Sequence, residues 1–150
     1  MAQYWMIVTS RENYEATRDR NFTIQGVKSR HRKKAMEMQP GDKLIYYVTG
    51  IQQFAGTAEV TSTFFEDDEP IWKSKGKKQD ENYPWRVHIK PERILDEAGW
   101  VDSEEFKDKL EYIKKWPAEH WKLAFQGNVH NIPAADYQTI SRRFAAAVHA

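Results

Sequence analysis

The segment Gly26-Val27-Lys28-Ser29-Arg30-His31-Arg32-Lys33-Lys34 holds five lysines and arginines within seven residues, with a histidine among them. Ammonium and guanidinium groups at this density pair with phosphate oxygens. The whole chain carries a formal net charge of only +1, so everything outside this segment is net negative. Positive charge is therefore concentrated, which is the footprint of a polyanion-binding edge. A plain solvated helix face is the alternative. The aromatic content favours the polyanion: six Trp, seven Tyr and seven Phe in 150 residues. Bases stack on aromatic faces while phosphates pair with cations. Lys28, Arg30, His31, Arg32, Lys33 and Lys34 are the candidate phosphate-binding residues.

Other chemistries find less support. There is no cysteine, which removes disulfides, thiolate metal sites and Cys nucleophiles and is consistent with a reducing cytosol. The histidines His31, His88, His120, His130 and His149 include no pair four apart. Asp67, Asp68 and Glu69 are adjacent but lack the alternate spacing and central glycine of a calcium loop. No metal and no cofactor are expected. Ser10, Ser29 and Ser62 lack a nucleophile-elbow context, and no glycine-rich phosphate loop is present. The N-terminal residues lack a signal-peptide pattern, and no apolar run could cross a bilayer. These features predict a cytoplasmic protein with no membrane partner.

The elements that must position the basic segment follow from periodicity. A chain of this length is expected to form one domain over residues 1–150. Tyr4 to Thr9 is apolar on both faces and reads as a buried central strand. Ser10 stands at the N-cap of a helix from Arg11 to Asp19. Phe22 to Val27 reads as loop and Arg30 to Met38 as a helix carrying the cations. Pro40-Gly41 turns into a strand, Lys43 to Val48. A long strand follows, Phe54 to Phe64, with Phe54, Gly56, Ala58 and Val60 on one face; Gly56 and Ala58 admit close approach of another backbone or a ligand.

Glu66 to Asn82 reads as a long exposed loop with an acidic block, then Lys73, Lys75, Lys77 and Lys78. Trp72 between the blocks is either a binding candidate, exposed or half-exposed, or part of a lid that packs down on the barrel; as a loop residue its loss should cost little stability. From Tyr83 to Lys90 the pattern alternates, placing Trp85, Val87 and Ile89 inward and Arg86, His88 and Lys90 outward. Trp85 is thus core or pocket floor, and Tyr47, near a strand end, is a pocket-rim candidate. Asp102-Ser103-x-Glu105 opens a short helix, Pro117 another turn with Trp121 and Phe125. A final helix from Ala134 to Val148 aligns Tyr137, Ile140, Phe144 and Val148. The sum is an α+β fold: a curved, mostly antiparallel β-barrel with flanking helices.

The order of motifs resembles the EVE domain (UPF0310, DUF55). The pieces are Tyr4-Trp5-x-Ile7-x-Thr9-Ser10-Arg11-Glu12-Asn13, then Gly26-Val27 with its basic stretch, then Pro40-Gly41-Asp42-Lys43-Leu44-Ile45-Tyr46-Tyr47. Tyr83-Pro84-Trp85-Arg86-Val87, Trp121-Lys122-Leu123-Ala124-Phe125-x-Gly127 and Ile132-Pro133-x-x-Asp136-Tyr137 complete it. The resemblance implies a PUA-like fold related to the YTH domain, which reads N6-methyladenosine in an aromatic cage. It also implies a pocket for a modified base, such as a methylated or hydroxymethylated cytosine. Carried over, the pocket residues are Thr9, Ser10, Asn13, Val27, Lys28 and Ser29, with Tyr47, Trp72, Tyr83 and Trp85. Ser10 and Asn13 would contact the base edge. One position departs: YTH relatives carry a Trp directly after the pair that aligns with Gly26-Val27, and here Lys28 stands there. The missing cage wall would come from elsewhere, with Trp72 as the candidate.

The expected function is recognition of a modified base in DNA or RNA, flipped into an aromatic pocket beside the basic helix, without catalysis. An enzyme acting on a nucleotide or nucleobase would instead show a close pair of titratable groups with shifted pKa values. A protein-interaction module using the charged loop and Trp72 would show a neutral or acidic pocket rim.

Overall fold

Strand β1 (Tyr4–Thr9) alternates its side chains between two apolar environments, because residues two apart share a face. The structure is a computed structural model that describes residues 2–74 and 81–149, with the side chains of the last helix described through Ala145. Trp5 and Ile7 enter one core, while Met6 and Val8 enter a second. Strand β3 (Lys43–Val48) is divided the same way: Leu44, Tyr46 and Val48 join the first core, Ile45 and Tyr47 the second.

These two strands pair in parallel and form the middle of a curled mixed sheet. The hydrogen-bonded order is β2 (Ile24–Val27), β6 (Trp85–Ile94), β4 (Gln53–Val60), β3, β1 and β8 (Val129–Ile132). Two-residue strands β5 (Phe65–Glu66) and β7 (Val101–Asp102) add to β6 and β4. Apart from β1 with β3, the pairs are antiparallel. The sheet forms a half-barrel with flanking helices. Helices α1 (Arg11–Asp19) and α2 (Arg32–Glu37) contribute Tyr14 and Ala35 to the first core. Helix α3 (Ala134–His149) and the 3-10 segment Ala118–Phe125 cover the second, through Phe144, Ile140, Trp121 and Phe125.

Four expectations need correction. Residues 24–27 form an edge strand rather than loop; a four-residue segment broken by Gly26 shows too little periodicity to be read. The helix expected from Arg30 begins as a 3-10 turn, Ser29–His31, and becomes α2 only at Arg32. Strand β4 stops at Val60, and irregular pairing opposite Tyr46 and Tyr47 puts Phe54 in the second core and Ala55 with Ala58 in the first. Arg86, expected outward, is fully buried, because residues 67–74 and 81–83 fold over it. Its guanidinium donates to the carbonyls of Tyr83, Asn82 and Glu69 and lies 3.8 Å from Asp67 Oδ2. At Gly56 a Cβ would lie 2.8 Å from the Arg93 carbonyl, so the close approach expected there is made by the backbone of β6. Ser10 caps α1 as expected, its Oγ accepting from Asn13 N at 3.1 Å. Val148 and the loop lysines Lys75, Lys77 and Lys78 fall outside the described side chains.

Candidate nucleic-acid interface

The two ends of the sheet order, β2 and β8, are not paired with each other. Asn128 spans the gap: its Oδ1 accepts from Lys28 N at 2.9 Å, and its carbonyl accepts from Val8 N at 2.8 Å. A cavity of about 410 Å³ opens along this seam. Six of the expected pocket residues line it: Thr9, Ser10, Asn13, Lys28, Trp72 and Tyr83. Gln25, Thr49, Gly127 and Asn128 are among the other lining residues and were not anticipated. Gln25 was hidden because its segment read as loop; Asn128 lies 100 residues from Lys28, and no local pattern links them.

Of the two expectations for Trp72 the structure shows the packed-down lid: the ring is a wall of the cavity and not an exposed probe. It is 3% exposed. Its indole Nε1 donates to Thr17 Oγ1 at 2.8 Å, and the Arg86 guanidinium stands 5.1 Å from the ring centroid. The ring lies so close over β2 that a Cβ at Gly26 would sit 2.5 Å from its Cζ3. Gly26 is what lets the loop close down. The sequence showed charged neighbours on either side of Trp72, but not that a buried arginine and a glycine would receive it.

Asn13 is the latch of the same loop. Its Oδ1 accepts from Lys73 N at 2.8 Å, and its Nδ2 donates to the Lys73 carbonyl at 2.8 Å and to the Tyr83 hydroxyl at 3.2 Å. Both amide hydrogens are engaged, so Asn13 shapes the cavity by holding the loop. Tyr83 faces Trp72 at 6.1 Å between centroids, with Lys28 Nζ 5.9 Å from its ring. Burial, helped by the Glu81 carboxylate, raises the Tyr83 pKa and keeps the phenol neutral.

Val27, Ser29, Tyr47 and Trp85 stand outside the cavity. Val27 packs in the first core. Ser29 holds the Glu81 carboxylate through its backbone N–H and hydroxyl. Tyr47 points to the opposite face of β3 and stacks on Phe125 at 4.5 Å. Trp85 is only half-buried and belongs to the basic edge: its Nε1 donates to the Ser29 carbonyl at 2.8 Å, and Arg32 lies 5.3 Å from its ring. It is paired with Val27 at the end of β2, where the chain leaves the sheet for the basic turn.

Along that edge Arg30, Arg32 and Lys33 are exposed, and among the described residues none of them forms an ion pair. Lys34 is half-buried and donates to the Val129 carbonyl at 2.8 Å. His31 is held neutral, its pKa lowered to about 4 by partial burial and then by Lys34, Arg30, His130 and Lys28. His130, in contact with Tyr112 and the Gln126 carbonyl, is also lowered, chiefly by burial. The unfolded chain therefore takes up these protons first. Their contribution to stability is complete above about pH 6.5 and falls as pH drops toward 4. Urea unfolding at pH 7 and 4.5 should show a smaller acid loss for His31→Asn than for the parent chain. An equal loss in both would remove His31 from this role.

Among the described residues no cluster of three or more His, Asp or Glu side chains could hold a metal ion, and no helix is long and apolar enough to cross a membrane.

The same architecture recurs in solved structures. The YTH domain of Zygosaccharomyces rouxii MRB1, in complex with N6-methyladenosine RNA, superposes with a TM-score of 0.66 at 20% identity, over 95% of this chain and 86% of that one. The Mmi1 YTH domain in complex with RNA gives 0.69 at 12% identity, over 99% and 80%. At these identities the likeness is one of fold. In sequence, a UPF0310 protein of Pyrococcus horikoshii is 32% identical, over 93% of this chain and 97% of its own length. One from Pyrococcus abyssi is also 32% identical, over 91% and 96%. The EVE domain model matches residues 3–143, which takes in β1, the seam, the basic edge and most of α3. The chain belongs to the EVE domain family.

Proposed function

We propose that the seam cavity receives a modified base extruded from a DNA or RNA strand, and that the strand's phosphates lie along the basic edge. The observation that carries this reading is the adjacency of two features. A concave site with an aromatic wall, Trp72 and Tyr83, opens beside exposed cations that no carboxylate of the described residues neutralises. The cavity volume of about 410 Å³ accommodates one nucleobase with its sugar at the mouth. Lys28 enters at the cavity edge, where it can bridge base recognition and phosphate binding. The YTH relative bound to N6-methyladenosine RNA supports a base-reading role for this fold. A methylated or hydroxymethylated cytosine is the base we favour, as the resemblance to EVE domains implies; Lys28, where that resemblance sets a YTH tryptophan, argues only against N6-methyladenosine. The site binds and does not transform its ligand.

The test is a binding panel of modified and unmodified nucleosides and short oligonucleotides at two salt concentrations. One modified base should bind more tightly than its parent, with the discrimination preserved at high salt and the total affinity reduced. Equal binding of every modified and unmodified pair would rule out the reader.

A further inference from the structure

We propose that a second cavity, on the opposite face of β3, docks an apolar side chain flanked by lysine or arginine from a segment of a partner protein. This cavity measures about 540 Å³ and meets the first at Thr49 and at the Gln126–Gly127 step. Its floor is Tyr47, Phe125 and Trp121. Three large apolar side chains are exposed among the described residues: Met36, Ile51 and Leu123. Leu123 lines this cavity, and Ile51 lies between its lining residues Gly50 and Gln52. Exposed aliphatic groups gathered at a concave site mark an interaction surface.

The charge around it selects the occupant. Glu104 and Glu119 line the wall. The one lysine there, Lys122, is engaged by Gln52 Oε1 at 2.7 Å and by Glu104 at 3.6 Å. With Lys122 on Glu104, the carboxylate that no ion pair among the described residues neutralises is Glu119. A phosphate backbone is disfavoured beside it, whereas a cationic peptide is drawn in. Stacking by a base is disfavoured too, because Tyr47 and Phe125 already lie face to face, 4.5 Å apart. The protein thus has a basic edge at one cavity and, at the next, a largely polar mouth with the exposed Leu123 and with Glu119, unpaired among the described residues, so a nucleic acid and a protein segment could be held together. The inference does not depend on what the first cavity binds.

The experiment uses the full chain and an array of synthetic nonapeptides. Their central residue is Leu, Phe, Trp or Ser, and their flanks are Lys, Ser or Glu. The tightest peptide is then titrated while the Gln52 and Leu123 amides and the Trp121 indole are followed by NMR. Lys-flanked apolar peptides should bind and shift these signals. Central Ser or Glu flanks should weaken binding about tenfold or more, as should the double variant Glu104→Lys with Glu119→Lys. Saturating the protein with an oligonucleotide should leave peptide affinity within about twofold. No preference for centre or flank overturns the proposal. So does binding that leaves the Trp121 indole unmoved, or a nucleoside that displaces the peptide there. These outcomes leave the base-reading result untouched, since that is read on the other cavity.

Discussion

Trp72→Ala should destabilise the protein by about 3–5 kcal/mol and weaken base binding by roughly 5- to 150-fold. The stability loss follows from burial: the indole is 3% exposed, stacked against Arg86 and fitted onto Gly26. The binding loss follows from its position in the cavity wall, since stacking on an aromatic side chain contributes about 1–3 kcal/mol per base. Trp72→Phe separates the two effects. It keeps a ring in the wall and loses the 2.8 Å bond to Thr17, so its stability cost should be about 1 kcal/mol, with binding largely retained. A third variant checks the packing. Gly26→Ala should cost about 1–3 kcal/mol, because its Cβ would meet Trp72 Cζ3 at 2.5 Å and the Tyr83 carbonyl at 2.8 Å. In the Trp72→Ala background the cost should shrink without vanishing, since the Tyr83 carbonyl stays. Denaturant melts and nucleoside titrations at one pH measure all of this. If Trp72→Ala melts with the parent chain, the loop is not packed as described.

The legible parts of this molecule were those set by local pattern. β1 and β3 could be read because apolar residues occupy both faces, and the structure gives each face its own core. Ser10 could be read because an N-cap needs a particular side chain at one position. The cations of 28–34 could be read because they are clustered within one short segment. The missed features depend on contacts distant in sequence. Arg86 fits an outward position of an alternating strand and is nonetheless fully buried. Its burial is tolerated because three backbone carbonyls and the nearby Asp67 compensate the charge, and nothing in the strand pattern announces them. Trp72 followed from the same fact. Once Arg86 is inside, the loop above it has a cation to stack on, and Gly26 leaves the space. Tyr47 and Trp85 stand at the expected strand ends, but neither lines the seam cavity. Tyr47 shares Ile45's face, as the alternation predicts; what the pattern does not show is that this face is the second core and borders the other cavity. For Trp85, pairing with Val27 carries the ring past the cavity to the basic turn. The side chains that close the seam, Gln25 and Asn128, meet it from strands or loops that are far apart in the chain, so only the fold brings them together.

Replacing Arg30, Arg32 and Lys33 together with Ala should weaken binding to every nucleic acid alike and flatten the salt dependence. Each phosphate neutralised contributes a slope of about −0.9 in log K against log salt on duplex and about −0.7 on a single strand. Three lost contacts should therefore reduce the slope by roughly two to three units. The geometry decides which cations to remove. Arg30, Arg32 and Lys33 are exposed, whereas Lys34 is half-buried and tied to the Val129 carbonyl, and Lys28 belongs to the cavity. Arg32 also covers Trp85 and Phe64, so Arg32→Lys alone should keep the slope while altering the stacking around Trp85. The ratio of affinities for modified and unmodified base should survive the triple change, because the cavity wall is untouched and phosphate contacts carry no base information. A triple variant with the parent slope would show that the strand runs elsewhere on the surface. A variant with the flattened slope and a collapsed ratio would show that the basic turn itself shapes the cavity, through Ser29 and its bonds to Glu81.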